Sequence, residues 1–158
     1  MIWRRVHVPE TLTVRQLHGV IQVAMAWEGI HLFQFRLRAV QYGSSEISAR
    51  SPEITLASLR LRKGARFGYD YDMNVPWRHE IRLEERVEPN PKHAYPSCVD
   101  GHGSGPPEDC GGINGFLARR RAWSDGGLDD MVRIADFIDK VALQERTDFS
   151  VTPQLSRR

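Results

Sequence analysis

Apolar and polar residues alternate along several short segments of the chain, a pattern typical of strands that bury one face. These segments lie at residues 2–8, 32–38, 65–72 and 78–87. The last two are close enough in sequence to form an antiparallel hairpin through residues 73–76. The pattern predicts one mixed or antiparallel sheet of about four to five strands. Residues 42–45 (Tyr-Gly-Ser-Ser) are typical of a turn that leads into an exposed loop over residues 44–53.

Two other segments have apolar residues at every third or fourth position, as amphipathic helices do. The first helix is predicted over residues 13–27, because Thr13 and Gln16 have the spacing of a capping box. The second is predicted over residues 127–142, with aspartates near its start as the helix dipole favours. A short helix is also expected within residues 54–61. Together with the strands, these segments predict an α+β fold with helices packed on one face of the sheet.

Residues 88–112 interrupt this regular pattern with five prolines and five glycines. A loop of this length within a compact domain is usually functional or disordered. It carries both cysteines, two histidines and a small acidic cluster, so an ordered, functional loop is expected. Residues 147–158 are expected to form a disordered tail. The predicted organisation is therefore a single domain over residues 2–142.

Composition excludes several classes of protein. The chain of 158 residues is 41% hydrophobic and 27% charged, which is typical of a globular domain. No apolar run approaches the roughly 20 residues that span a bilayer, and two cysteines do not make a secreted disulfide scaffold. The first residues resemble a strand and not a signal peptide. A cytoplasmic protein that does not contact membranes is expected.

Three blocks of motifs resemble the plasmid pRiA4b ORF-3-like family, bacterial proteins often carried on plasmids or beside insertion-sequence transposases. The blocks are Ile2-Trp3-Arg4-Arg5 with Leu17-His18 and Trp27, then Tyr71-Asp72 with Trp77-Arg78-His79, then Tyr95-Pro96-Ser97-Cys98 with Pro106-Pro107-Glu108-Asp109-Cys110-Gly111-Gly112. The resemblance covers about residues 2–140. It implies a compact α+β domain, and it implies no reaction, since the family has no established biochemical activity.

The chain departs from the family pattern at several polar positions. Val75, Phe33 and Gly105 stand where family members commonly have an acid, a histidine and a cysteine. A site built from those groups is incomplete in this chain. The resemblance also implies a further strand before Trp3, and without that strand the edge of its neighbour would be open to pairing.

The cysteines and histidines of the long loop suggest a zinc site, because thiolate and imidazole are the ligands that zinc prefers. The candidate ligands are His79, His93, Cys98, His102 and Cys110. Their spacing is irregular, with no Cys-x2-Cys pair. The alternative is a pair of reduced thiols and a set of histidines that hydrogen-bond to backbone groups.

Carboxylates form a second candidate site. Asp72, Glu108 and Asp109, with His79, have the side chains of a metal-dependent hydrolase or nuclease, and Asp100 could join them. Acids in loops also accept backbone N–H groups, which would make the same residues structural. Convergence in one concave pocket would favour the enzyme, whereas backbone hydrogen bonds to each carboxylate would oppose it.

Arginines form a third candidate site. A phosphate-binding face could be made by Arg4, Arg5, Arg60, Arg62 and Arg119, if they share one side of the molecule. The net charge of +2 is small, and charge clusters more often form solvated faces.

The sequence favours a non-enzymatic binding or accessory protein of a plasmid or insertion-sequence element. Its binding surface is predicted at the long loop and the adjacent hairpin turn, and comprises Asp72, Trp77, Asp100, Glu108 and Asp109. The partner is left open between a protein and a nucleic acid, as is the oligomeric state. A metal-dependent hydrolase and a DNA-contacting accessory domain are the alternatives.

Overall fold

The computed structural model describes the backbone of residues 1–125 and the side chains of residues 1–121. The chain divides into two compact units, residues 1–116 and residues 117–158. The strands are β1 (Trp3–His7), β2 (Phe33–Leu37), β3 (Val40–Gly43), β4 (Arg66–Tyr71), β5 (Trp77–Arg82) and β6 (Ser97–His102). The helices are α1 (Val14–Met25) and α2 (Gly112–Asp125), and short 3₁₀ turns occupy Ser45–Ile47 and Ala57–Leu59.

The strands form two antiparallel sheets. The larger sheet has the order β3-β2-β4-β5, and the smaller one pairs β1 with β6. In the larger sheet, Phe35 lies opposite Tyr69, and Tyr69 lies opposite His79. In the smaller sheet, Arg5 lies opposite Asp100, and a bulge follows Arg5. The larger sheet provides most of the buried aromatic side chains.

Helix α1 covers the inner face of the larger sheet. Thr13 accepts the backbone N–H of Gln16, and the Gln16 side chain accepts the backbone N–H of Thr13, which completes the predicted capping box. The helix ends at Ala26, which has a left-handed conformation (φ 59°) and donates its N–H to the carbonyls of the last turn. The buried core contains residues of α1, of the segment after it, of three strands and of the loop before α2: Val14, Leu17, Met25, Trp27, Phe33, Phe35, Leu37, Phe67, Tyr69, Tyr71, Trp77 and Cys110.

The α+β fold class is confirmed, as are the first helix and all four predicted strands. The strand near residues 2–8, however, belongs to the smaller sheet and not to the larger one. Residues 127–142 and 147–158, where a second helix and a tail were predicted, lie outside the described residues. Within the described residues, no helix is long and apolar enough to cross a membrane.

Two predictions of irregular structure were wrong. Residues 40–43, of which Tyr42-Gly43 were interpreted as a turn, form β3, where Gly43 is needed because a Cβ atom would lie 2.2 Å from the Phe33 carbonyl oxygen. Residues 97–102, in the predicted loop, form β6. Proline and glycine are tolerated around β6 because it is largely exposed and pairs with a single strand, β1, within the described part of the chain.

Candidate functional site

Four aromatic side chains pack together where α1 meets the end of the larger sheet. The rings of Trp27 and Tyr71 stack with their centroids 5.1 Å apart. Trp77 lies 5.7 Å from Trp27, and His79 meets Trp27 edge-on at 5.5 Å. Such contacts add to the stabilisation that burial provides. This cluster of Trp27, Tyr71, Trp77 and His79, here named the aromatic base, is the rigid support on which the rest of the region packs.

The Pro- and Gly-rich segment of residues 105–112, here named the docked segment, lies against this base. The Trp27 indole N–H donates to the Pro106 carbonyl at 2.8 Å, and the Trp77 indole N–H donates to the Glu108 carbonyl at 3.3 Å. Gly105 approaches α1 so closely that a Cβ atom there would lie 2.5 Å from the Met25 carbonyl oxygen. The segment is therefore held by buried hydrogen bonds and close packing.

Glu108 is the main polar attachment of the docked segment. Its carboxylate accepts hydrogen bonds from the Tyr71 hydroxyl, from the Glu28 N–H at 2.6 Å and from the Ile30 N–H at 3.4 Å. Burial opposes ionisation of Glu108, but these hydrogen bonds outweigh it and lower the pKa of its carboxyl group. Burial and the hydrogen bond to Glu108 both raise the pKa of Tyr71. The pair holds Glu108 ionised and Tyr71 protonated.

Two further carboxylates lie beside Glu108. Asp109 is 2.8 Å from the His31 ring (Oδ1 to Nε2), and this hydrogen bond, followed by the charges of nearby Asp72, Asp109 and Glu108, raises the pKa of His31. Asp72 is buried and has a left-handed conformation (φ 61°) at the end of β4. Its Oδ1 accepts the N–H groups of Asn74 and Val75 at 3.0 and 3.3 Å, which is the hydrogen bonding of an Asx turn.

The structure separates the predicted hydrolase residues. Asp72, Glu108 and Asp109 gather around His31, whereas His79 faces the core beside Trp27 and Tyr69. Burial lowers the pKa of His79, and no hydrogen bond links it to these carboxylates. Asp72 and Glu108 both accept backbone N–H groups. Such hydrogen bonds are those expected of structural carboxylates, and they argue against the hydrolase hypothesis.

Asp100 does not join this cluster. It lies on β6, and its carboxylate forms an ion pair with Arg5 at 2.9 Å. Of the other residues of the predicted binding surface, Asp72 and Trp77 are buried, whereas Glu108 is half-buried and Asp109 is exposed.

The predicted zinc ligands are not brought together. Within the described part of the chain, no three His, Cys, Asp or Glu side chains form a group that could hold a metal ion. Cys110 is buried, and its thiol lies 3.7 Å from the Gly112 carbonyl, whereas Cys98 is exposed on β6. His93 and His102 are exposed as well. The zinc site stays a prediction that this geometry does not support.

The predicted arginine face also lacks geometric support. Arg4 and Arg5 are neighbours on β1 and so extend from its opposite sides. The Arg4 guanidinium donates to the carbonyls of Ala24 and His102, and Arg5 pairs with Glu84 and Asp100. Arg119 lies in the second unit, residues 117–158.

His31 and Tyr71 are the site residues that the sequence did not reveal. Tyr71 alternates with Phe67 and Tyr69, which indicated only a core position. His31 follows α1 in a segment without regular pattern, and its role depends on a residue 78 positions later. The motif that contains Glu108 and Asp109 indicated that these two residues are important, but it did not indicate which residues they contact.

Residues 1–116 thus form a small α+β domain in which the docked segment covers a cluster of aromatic side chains. The chain matches the family model described as plasmid pRiA4b ORF-3-like protein over residues 1–148, and it belongs to that family. It is 37% identical over 133 residues to the uncharacterized protein y4hQ of Sinorhizobium fredii. The aligned region covers 79% of this chain and 67% of that protein.

The fold is also similar to a solved structure. The crystal structure of MM3350, a protein of unknown function from Methanosarcina mazei Go1, is similar with a TM-score of 0.73 and 28% identity. The similarity covers 84% of this chain and 78% of that one. The family resemblance that the motifs indicate is confirmed by the family model, and the predicted fold class agrees with this structure.

Proposed function

We propose that the protein is a non-enzymatic binding protein, an accessory of a plasmid or insertion-sequence element, and that it contacts a protein partner beside the docked segment. The observation that carries this proposal is the use of Glu108. Both of its oxygens accept hydrogen bonds from the protein's own groups. A catalytic carboxylate must direct an oxygen at its substrate. The Glu108 carboxylate instead fixes the docked segment to the aromatic cluster beneath it.

The surface around Glu108 has the charge of a receptor for a basic segment. Glu28, Asp72, Glu108 and Asp109 bring four acids to the region, and none of them forms an ion pair with a lysine or arginine within the described residues. His31 is the neighbouring cation when it is protonated. Charge complementarity would steer a lysine- or arginine-rich segment to this surface.

Exposed apolar side chains border these acids. Ile30 and Ile113 are 60% and 59% exposed, and Val75 is 43% exposed. The Ile30 N–H reaches Glu108, while Val75 packs against Gly112, the residue before Ile113. Apolar residues surrounded by polar ones are typical of protein-interaction sites. The partner segment is therefore expected to combine basic and apolar residues.

Binding of short peptides tests the proposal. The probes are labelled 15-residue peptides that combine lysine and arginine with leucine or phenylalanine, and matched peptides that carry glutamate in place of the basic residues. Fluorescence anisotropy should show binding of the basic peptides alone. Asp109→Lys should weaken binding at least tenfold, because the Asp109 side chain is 67% exposed at the centre of the surface.

Glu85→Lys is the matched control, since Glu85 is an exposed acid beyond the far end of β5. It should leave peptide binding unchanged. Equal binding of basic and acidic peptides, or equal losses in the two variants, would contradict the proposal.

A further inference from the structure

The outer face of the larger sheet carries a second set of charges that no part of the proposed function uses. Residues alternate along each strand, so one set faces the core and the other faces outward. The outward residues are Gln34 and Arg36 on β2, Arg66, Gly68 and Asp70 on β4, and Arg78, Glu80 and Arg82 on β5. We propose that this face, here named the outer sheet face, binds the phosphodiester backbone of a nucleic acid.

The register of the strands places the arginines together. Asp70 lies opposite Arg78, Gly68 lies opposite Glu80, and Arg66 lies opposite Arg82. Two like charges directly opposite each other destabilise a sheet. A phosphate bound at Arg82 would reduce this repulsion.

The acids of the face are already neutralised by its arginines. Asp70 is buried and accepts two hydrogen bonds from Arg36, at 2.7 and 3.0 Å. Glu80 pairs with Arg66 at 2.6 Å. Four arginines face two acids, so the face has an excess of two positive charges.

Arg78 and Arg82 supply that excess. Both are exposed, and neither makes a hydrogen bond or an ion pair with another side chain in the described residues. The charge of Glu84 acts on Arg82, but Glu84 is itself paired with Arg5. An arginine fork matches the geometry of a phosphate group. These two side chains are therefore the ones available to a ligand.

The face is open to a ligand. A shallow groove of about 470 Å³ lies on it, lined in part by Arg36, Arg66, Gly68, Arg78 and Glu80, and Arg82 lies outside that lining. The Arg36 guanidinium lies over Gly68, since a Cβ atom there would lie only 2.8 Å from Arg36 Nη2. Glycine thus allows Arg36 to lie across the middle of the groove.

The side chains favour a phosphate backbone over bases. The outward residues include no aromatic ring on which a base could stack. Arg78 and Arg82 are four residues apart, about 13 Å along a strand, and a duplex presents a phosphate for roughly every 1.7 Å of its axis. Several phosphates can therefore lie along the face, and binding is expected to be independent of sequence.

Anisotropy of a labelled 20-base-pair DNA duplex at 50 mM salt tests the inference. Wild-type protein should bind, and affinity should fall as salt is raised. The double variant Arg78→Gln/Arg82→Gln should bind at least tenfold more weakly, and the slope of log affinity against log salt should fall by about two. An RNA duplex should bind similarly, because both polymers carry the same backbone charge.

Arg15→Gln/Lys92→Gln is the control, since it removes the same number of charges from exposed positions outside the sheet, one on α1 and one in the long loop. It should retain most of the affinity. Thermal melting of each variant verifies that it is folded. Absence of binding by the wild-type protein at 50 mM salt, equal loss in the two double variants, or equal affinity for a duplex with an uncharged methylphosphonate backbone would each overturn the inference.

Discussion

The Tyr71 hydroxyl donates a hydrogen bond to the Glu108 carboxylate and so joins β4 to a segment 37 residues later. The same carboxylate accepts backbone N–H groups from the segment that follows α1. One side chain thus connects β4, the segment after α1 and the docked segment, and its replacement should destabilise the packing of all three.

Glu108→Gln should lower the free energy of unfolding by about 2 kcal/mol, because one carboxylate oxygen becomes an NH₂ group that cannot accept hydrogen bonds from its present donors. Urea denaturation measures the loss. Glu28→Gln is the control, since the exposed Glu28 contributes only its backbone N–H to this network, and it should change the stability by less than about 0.5 kcal/mol. Equal effects of the two substitutions would mean that the Glu108 carboxylate does not hold the docked segment.

Gly115→Ala should destabilise the protein by about 2 kcal/mol, because a Cβ atom at this position would lie 1.9 Å from the Cys110 carbonyl oxygen and the backbone would have to shift. Gly19→Ala is the matched change in α1, where the position is exposed and nothing lies within 4 Å. That variant should be more stable by about 0.5–1 kcal/mol, since alanine favours a helix over glycine. Thermal melting distinguishes the two, and a Gly115→Ala variant as stable as the wild type would contradict the close approach.

His18 should make stability depend on pH. Burial lowers its pKa from the ordinary 6.5 to about 4, and its ring stacks on Phe33 while Nδ1 lies 2.8 Å from the Tyr69 hydroxyl. The unfolded chain therefore binds a proton more readily than the folded chain between these two values. Stability is complete above pH 6.5 and is lost progressively as the pH falls towards 4.

Full burial would make this loss about 3 kcal/mol, and partial solvent exposure reduces it to about 2 kcal/mol. Urea denaturation at several pH values measures the slope. His18→Gln should be less stable at pH 7, yet its stability should change less between pH 6.5 and 4. An unchanged slope would show that His18 does not carry the effect.

The two thiols should differ in reactivity. Cys98 is exposed and Cys110 is 4% exposed, so a thiol reagent should modify one cysteine per folded chain quickly and the other only after unfolding. Cys98→Ser should abolish the fast reaction, and Cys110→Ser should leave it unchanged. Protection of both thiols that a chelator relieves would contradict this result and support the zinc hypothesis.

The parts of the fold that local sequence determines could be predicted. Helix α1 begins at Thr13 because its capping partner is three residues away, and the alternation around Tyr69 reveals the buried face of its strand. Strand β6 escaped prediction because its glycines and prolines resemble those of a loop, and its partner strand is 95 residues distant at Arg5 and Asp100.

The candidate site could be predicted only in part. The motif around Glu108 indicated the segment but not the donors that surround it, since these come from residues 28–30 and 71. His79 could have been excluded from the sequence, because it shares the phase of Trp77 on β5 and therefore faces the core. The same alternation predicts that Arg78 and Arg82 face outward on β5. Their position beside Arg36 and Arg66 could not be predicted, because it depends on how three strands pair.

The position of the docked segment has a consequence for biosynthesis. A ribosome makes Pro106 and Glu108 after the aromatic residues to which they hydrogen-bond. Similarly, Arg5 of β1 is made 95 residues before its partner Asp100 of β6. A nascent chain that ends before Pro106 therefore leaves Trp27, Tyr71 and Trp77 without the segment that covers them. Chaperones that recognise exposed aromatic surface should hold such a chain, and should release it once the docked segment has emerged.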